Sequence, residues 1–242
     1  MQHIRISSVA TIILTLCAAM TAAHAQRPAN YFPLDEGTFW AYDANVEYSV
    51  REAPAPAPLS VRKKNLRYEI RVLDHLSGDG IEAGLLDGYP SDLSWYEEGQ
   101  QRSKCIILRT GTNNYFLLTR DVDKIWKELQ TGGFDGNQEE LNGSSLILQA
   151  PLEAGMRFGE FEQTARTRYC WVVEGARTVE SIPGVPASAA TAYSLAFRTS
   201  PDHTFIEFLP GVGIVHYEYS HHGTVANASL SLVQFSAAQA KP

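Results

Sequence analysis

The sequence predicts an all-β protein: a strongly curved antiparallel sheet, an open half-barrel of about a dozen strands in two related meanders, with one short amphipathic helix. Three observations lead there. Apolar and polar residues alternate with period two in segment after segment, as in a strand with one wet face. Gly, Pro, Asn and Asp punctuate the chain at the short intervals that hairpins need. One stretch alone carries helical periodicity.

Residues 1–25 read as a cleaved export signal. Arg5 is their sole Lys or Arg, Val9 to Ala19 is a short apolar run, and Ala23-His24-Ala25 offers small residues at a cleavage site. The run is too short for a permanent membrane helix, so no transmembrane segment is expected after cleavage. Cys17 is a poor lipidation site, because the bulky Leu16 precedes it. A soluble protein exported to the periplasm or the medium is expected. Removing 25 residues from 242 leaves 217, read as a single β domain over 26–242. Its first meander spans 26–148 and its second 149–242.

Trp40, Tyr42, Ala44, Val46, Tyr48 and Val50 fall on one face of the first strand, opposite Asp43, Asn45, Glu47, Ser49 and Arg51. Alternate prolines in 53–58 make a connection rather than a strand, since proline lacks the ladder donor. Leu66, Tyr68, Ile70 and Val72 repeat the alternation, with shorter strands at Ile81–Leu86 and Leu93–Tyr96. Cys105–Arg109 and Tyr115–Thr119 flank a Gly/Asn turn and form a hairpin. Val122, Ile125, Trp126 and Leu129 then mark the helix near 121–130, closed by Gly132-Gly133 and packed on its own sheet. Strands resume at Leu146–Leu152, Tyr169–Glu174, Thr178–Ile182, Thr191–Phe197, Phe205–Leu209, Ile214–Tyr219 and Leu230–Phe235. Pro210-Gly211 makes the turn between the strands bearing Phe205 and Phe208 and those bearing Tyr217 and Tyr219.

Two segments echo each other. Pro33-Leu-Asp-Glu-Gly-Thr-Phe-Trp40 and Pro151-Leu-Glu-Ala-Gly-Met-Arg-Phe158 share Pro, Leu, acid, Gly and aromatic positions, and Tyr96–Gly99 is matched with Phe208–Gly211 as a second landmark. The stretches Tyr31-Phe-Pro-Leu-x-x-Gly-x-x-Trp40 and Leu209-Pro-Gly-Val-Gly-Ile-Val215 resemble a set of uncharacterised exported bacterial proteins. Those carry Tyr-Phe-Pro-Leu…Gly-x-x-Trp-x-Tyr and Ala-Pro-Gly-Val-Gly-Leu-Val-Lys; here His216 stands at the lysine. The resemblance implies an envelope protein. At the level of architecture it extends to the half-barrels of LolA and LolB, which bind acyl chains on a concave face.

The formal net charge of −7 becomes −8 once Arg5 leaves, which argues against nucleic acid or anionic lipid headgroups as partners. Arg62-Lys63-Lys64 reads as a solvated cluster. No nucleophile elbow or phosphate loop is present, and pairs such as Glu97-Glu98 and Glu139-Glu140 lie in loops. His216, Glu218 and His222 form a candidate metal set for a hydrolase if the strand runs on through Ser220; the bland alternative is a wet strand face. Cys105 and Cys170 either pair as a disulfide or remain buried thiols.

One helix cannot cover so many aromatic strand faces, so the sheet either closes or leaves an apolar concavity open. The leading expectation is therefore a non-enzymatic envelope protein that needs no cofactor and holds a lipid, another hydrophobic small molecule or an apolar segment of an envelope protein. Trp40, Tyr42, Tyr68, Trp95, Trp126, Tyr193 and Phe208 are its candidate contacts. A structural adaptor in an envelope assembly is the remaining alternative.

Overall fold

The structure, a computed structural model, describes residues 31–52, 59–118, 120–134, 141–143, 145–160, 168–182, 185 and 190–238. The export signal, the proline run at 53–58 and the Glu139-Glu140 pair lie outside them. In chain order the elements are β1 (Phe39–Val50), β2 (Ser60–Gly78), β3 (Ile81–Asp87), β4 (Lys104–Thr110), β5 (Asn113–Leu117), α1 (Val122–Gln130) and β6 (Leu146–Gln149). The second half contributes β7 (Arg157–Gly159), β8 (Cys170–Val179), β9 (Ala190–Arg198), β10 (Asp202–Leu209), β11 (Gly213–His221) and β12 (Ala226–Ser236).

All twelve strands form one antiparallel sheet in the order β6-β5-β4-β3-β2-β1-β12-β11-β10-β9-β8-β7. Each half is a six-stranded meander, and the halves join where β1 pairs with β12, Trp40 opposite Phe235 and Tyr48 opposite Ala226. The break therefore falls between β6 and β7, in the middle of the chain. These two edge strands come close to each other. The expected curved sheet has thus curled past a half-barrel into a nearly closed barrel, which relieves the twist of a wide sheet and shelters its edges.

The interior is packed. Trp40, Tyr42, Val46, Ile70, Val72, Ile107, Leu195, Phe208 and Leu230 are buried in one cluster, while Asp43, Asn45 and Glu47 alternate outward on β1. Helix α1 packs outside the barrel: Val122, Ile125 and Trp126 cover Ala83, Leu85, Ile106, Leu108 and Leu117.

Chain segments close both ends. At the lower end, which carries the start of β1 and the turn 210–212, the N-terminal segment enters the core. Tyr31 and Phe32 stack with Phe208 at centroid distances of 6.0 and 6.1 Å, and the Gly211 N–H donates to the Tyr31 carbonyl at 3.0 Å. Buried Arg109 donates to the Phe32 carbonyl, to Asn114 Oδ1 at 3.1 Å and to Glu82 Oε2 at 2.6 Å. At the upper end the β3–β4 connection, residues 88–103, folds inward through a 3₁₀ turn, Pro90–Leu93. Leu93–Tyr96, expected as a strand, belongs to this plug. Pro90 at the start of the turn and the Asp92 carboxylate, which accepts from the Tyr89 and Ser103 N–H groups, favour a turn over a ladder.

The two Pro-Leu segments are built alike. Gly37 and Gly155, both at left-handed φ of 91° and 86°, donate to Val72 and Val173 carbonyls at 2.9 and 2.7 Å. Val72 and Val173 in turn donate to the carbonyls of Thr38 and Met156, both at 2.9 Å. Each valine borders a bulge, between Val72 and Asp74 and between Val173 and Gly175. That second bulge bends one continuous strand, β8, where two strands were expected. The matched second landmark is corrected. Tyr96–Gly99 lies in the β3–β4 connection, whereas Phe208–Gly211 ends β10; the counterpart of the 210–212 turn is the β4–β5 turn at Gly111.

Candidate functional site

Among the described residues six large apolar side chains stay exposed: Leu59, Val61, Leu73, Trp95, Leu118 and Tyr169. All but Leu73 lie at the upper end, beside the start of β2, the end of β5, the start of β8 and the plug. The cost of leaving them wet is concentrated on one rim.

The plug is fixed from below. Ser94 and Tyr217 hydroxyls share a buried hydrogen bond of 2.6 Å, the Tyr68 hydroxyl donates to Asp92 Oδ2 at 2.5 Å, and Tyr89 stacks on Phe116 at 4.3 Å. Burial pushes the Tyr217 phenol up to about 12, and burial with the Asp92 charge raises Tyr68, so both stay protonated. Trp95 extends from this anchored base to the surface, 52% exposed. Its ring meets His221 edge-on at 4.6 Å and Tyr219 at 6.3 Å.

Beneath Trp95 is a polar knot. Asp202 Oδ1 accepts from the Tyr219 hydroxyl at 2.5 Å and pairs with His221 Nδ1 at 2.7 Å, while its N–H donates to Thr199 Oγ1 at 2.9 Å. Burial works to raise the Asp202 carboxyl, but the bonds from Tyr219 and His221 and the His221 charge outweigh it and hold it below its ordinary value. The same carboxylate, with burial, raises the Tyr219 phenol. Alongside runs a cross-strand row on the inner face: Ala228, Tyr219, Thr204, Phe197, Trp171 and Phe158 are successive register partners. Trp171 and Phe197, 5.4 Å apart, are only partly buried. This end thus offers aromatic faces around a few fixed acceptors, which suits contact with an apolar group more than bond-making chemistry.

The sequence-predicted contacts do not assemble into one open groove. Trp40 and Tyr42 are core residues whose polar atoms donate to Val212 and Ile214 carbonyls at 2.6 and 2.8 Å. Phe208 is buried at the lower end, with Tyr193 partly buried opposite it. Trp126 lies outside the barrel under α1 and donates to Asp74 Oδ2 at 3.1 Å. Tyr68 helps to hold the plug, and Trp95 alone of the seven is exposed.

Nor does the metal set converge. His216 Nε2 meets Glu218 Oε1 at 2.9 Å on the outer face of β11, and its Nδ1 meets Ser231. β11 ends at His221, so His222 leaves the strand and its ring lies on His203 at 4.7 Å. Among the described residues no group of three His, Cys, Asp or Glu side chains is placed to hold a metal ion. Cys105 in β4 and Cys170 in β8 are both free and buried, the second of the two states the sequence allowed. Sequence reading missed Asp202, His221 and Ser94, whose partners lie on other strands. The one available signal was the polar Thr199–Asp202 turn between two apolar strands.

No family model matches the chain, and no curated protein does. Two crystal structures are similar to it: a candidate lipoprotein from Parabacteroides distasonis, at 13% identity and a TM-score of 0.36, and a candidate exported protein with a YmcC-like fold from Bacteroides fragilis, at 10% and 0.37. Each similarity covers 85% of this chain and 98% of the other.

Proposed function

We propose that the protein is exported and acts without catalysis, its upper end holding an apolar segment of a partner. The observation that carries this reading is the gathering of Leu59, Val61, Trp95, Leu118 and Tyr169 on one rim. A packed interior with both ends plugged leaves the rim, Leu73 apart, as the surface among the described residues on which large apolar side chains remain exposed. The signal-like residues 1–25 and the acidic net charge of −7 agree with an envelope protein that does not bind nucleic acid.

The test uses the dye bis-ANS, which fluoresces on apolar protein surface. Native protein should bind it, and the Val61→Ser/Trp95→Ala double variant should lose most of the signal while keeping its melting temperature. Unchanged dye binding in a folded double variant would remove the rim from consideration.

A further inference from the structure

The nineteen residues of β2 are paired unequally on their two sides. Toward β1 the ladder runs from Ser60 to Arg71; toward β3 it begins only at Arg71. Among the described residues no strand pairs with the β3 side of Ser60–Glu69. The Glu69 carbonyl faces that side, where Arg102 reaches it at a long 3.5 Å. Backbone groups two residues apart in a strand point the same way, so the N–H and C=O groups of Val61, Lys63, Asn65 and Arg67 face it too. A cleft of about 530 Å³ lies along this edge, lined by Leu66, Arg67 and Glu69 of β2 and by Tyr96, Gln100 and Arg102 of the β3–β4 connection.

We infer that the free edge of β2 takes an extended peptide segment of a partner protein as an added strand, with apolar and acidic residues alternating. This deepens the proposed function by naming the segment the rim receives. The pleat sets the alternation. Added side chains on the inner side meet Leu66 and Tyr96 and lie along the stems of Arg62 and Lys64, and those on the outer side meet Lys63, Arg67 and Arg102. These three basic groups are 73%, 49% and 44% exposed, and the acids they touch leave part of each cation facing solvent, so a further carboxylate can join them. Opposite charges across a strand pair stabilise it and like charges oppose it. A second copy of β2 laid antiparallel along the same edge would set Lys63 against Arg67, so the charge pattern disfavours self-pairing. Edge strands that natural proteins leave open are the usual templates for strand addition.

The experiment measures fluorescence anisotropy of labelled eight-residue peptides with the full mature chain. Alternating Val-Glu should bind about tenfold more tightly than alternating Val-Lys, with affinity falling as salt rises. Methylating its ladder-facing amides should cost a further tenfold or about that, because an added strand depends on those donors. Asn65→Pro removes one edge donor and should weaken the unmodified peptide similarly, while Asn65→Ala leaves it within about twofold. Equal binding by the methylated peptide, or a preference for the lysine peptide, overturns the proposal. So does a dimer in sedimentation that Asn65→Pro dissolves, which would assign the edge to a second copy. Bis-ANS binding at the rim alongside failure of the peptide experiments would reject the β2 site alone; loss of both would reject the proposed function with it.

Discussion

The guanidinium of Arg109 donates to the main-chain carbonyl of Phe32, seventy-seven residues away in sequence, and so fastens the N-terminal segment inside the barrel. The same Arg109 side chain is 4% exposed and carries its counter-charge, Glu82, at 2.6 Å. One buried cation therefore holds three things together: a strand, its neighbour and the lower plug. Removing Arg109 costs more than the pair contributes, because the Phe32 carbonyl and Asn114 Oδ1 lose their buried donor and the partly buried Glu82 its main counter-charge.

Arg109→Met should lower the unfolding free energy by about 2–3 kcal/mol in urea titration, with part recovered when Glu82→Gln is added. Hydrogen exchange should show the amides of Phe32 and Leu34, and the Gly211 amide that bonds Tyr31, losing protection before the strands do. A loss under about 1 kcal/mol would show that the plug is held by its aromatic rings alone.

Gly211 and Gly223 both sit at left-handed φ, 82° and 122°, so a side chain at either meets a direct penalty of about 1–2 kcal/mol. Gly211 also donates its N–H to Tyr31, whereas a Cβ at Gly223 would meet only the His221 ring edge, at 3.9 Å. Gly211→Val is accordingly expected to depress the melting temperature more than Gly223→Val. Equal losses would mean that the 210–212 turn does not position the N-terminal segment.

Asp202 supplies a pH dependence. Its folded pKa is depressed, so its contribution is present above the ordinary carboxylate value of about 4 and disappears as pH falls through the folded value. Wild type should be more stable than Asp202→Asn at pH 7, and the two should converge below about pH 4. A constant difference from pH 7 to pH 3 would show that Tyr219 and His221 bond the neutral acid as well as the carboxylate.

The thiols give a chemical check. Burial raises both Cys105 and Cys170, so neither should react with Ellman's reagent in the native protein. Denaturing the mature chain without reductant should expose two titratable thiols. None would indicate a bond between β4 and β8.

The sequence by itself determined most of the strands, though neither the short β7 nor the joining of β8 across its bulge, because period-two alternation reports burial on one face whatever the neighbours are. It also determined the helix over 122–130 and the likeness of the two Pro-Leu segments, each of which depends on residues a few positions apart. It placed Trp40, Tyr42, Tyr68, Tyr193 and Phe208 correctly in strands, though not Trp95, and could not say which would be core. Trp40 and Trp95 look alike in a sequence, and only closure of the sheet buries the first and leaves the second on a rim. The tertiary structure alone decided that β1 meets β12, that Leu93–Tyr96 plugs the barrel, and that Asp202 joins Tyr219 and His221 across a hairpin. It likewise decided that His222 turns away from His216 and Glu218. The physical reason for the first and third is that contacts between strands depend on how far a twisted sheet curls and which strands it brings together, and no local period encodes that. The plug and His222 depend instead on where a strand gives way to a turn, at Pro90 and after His221.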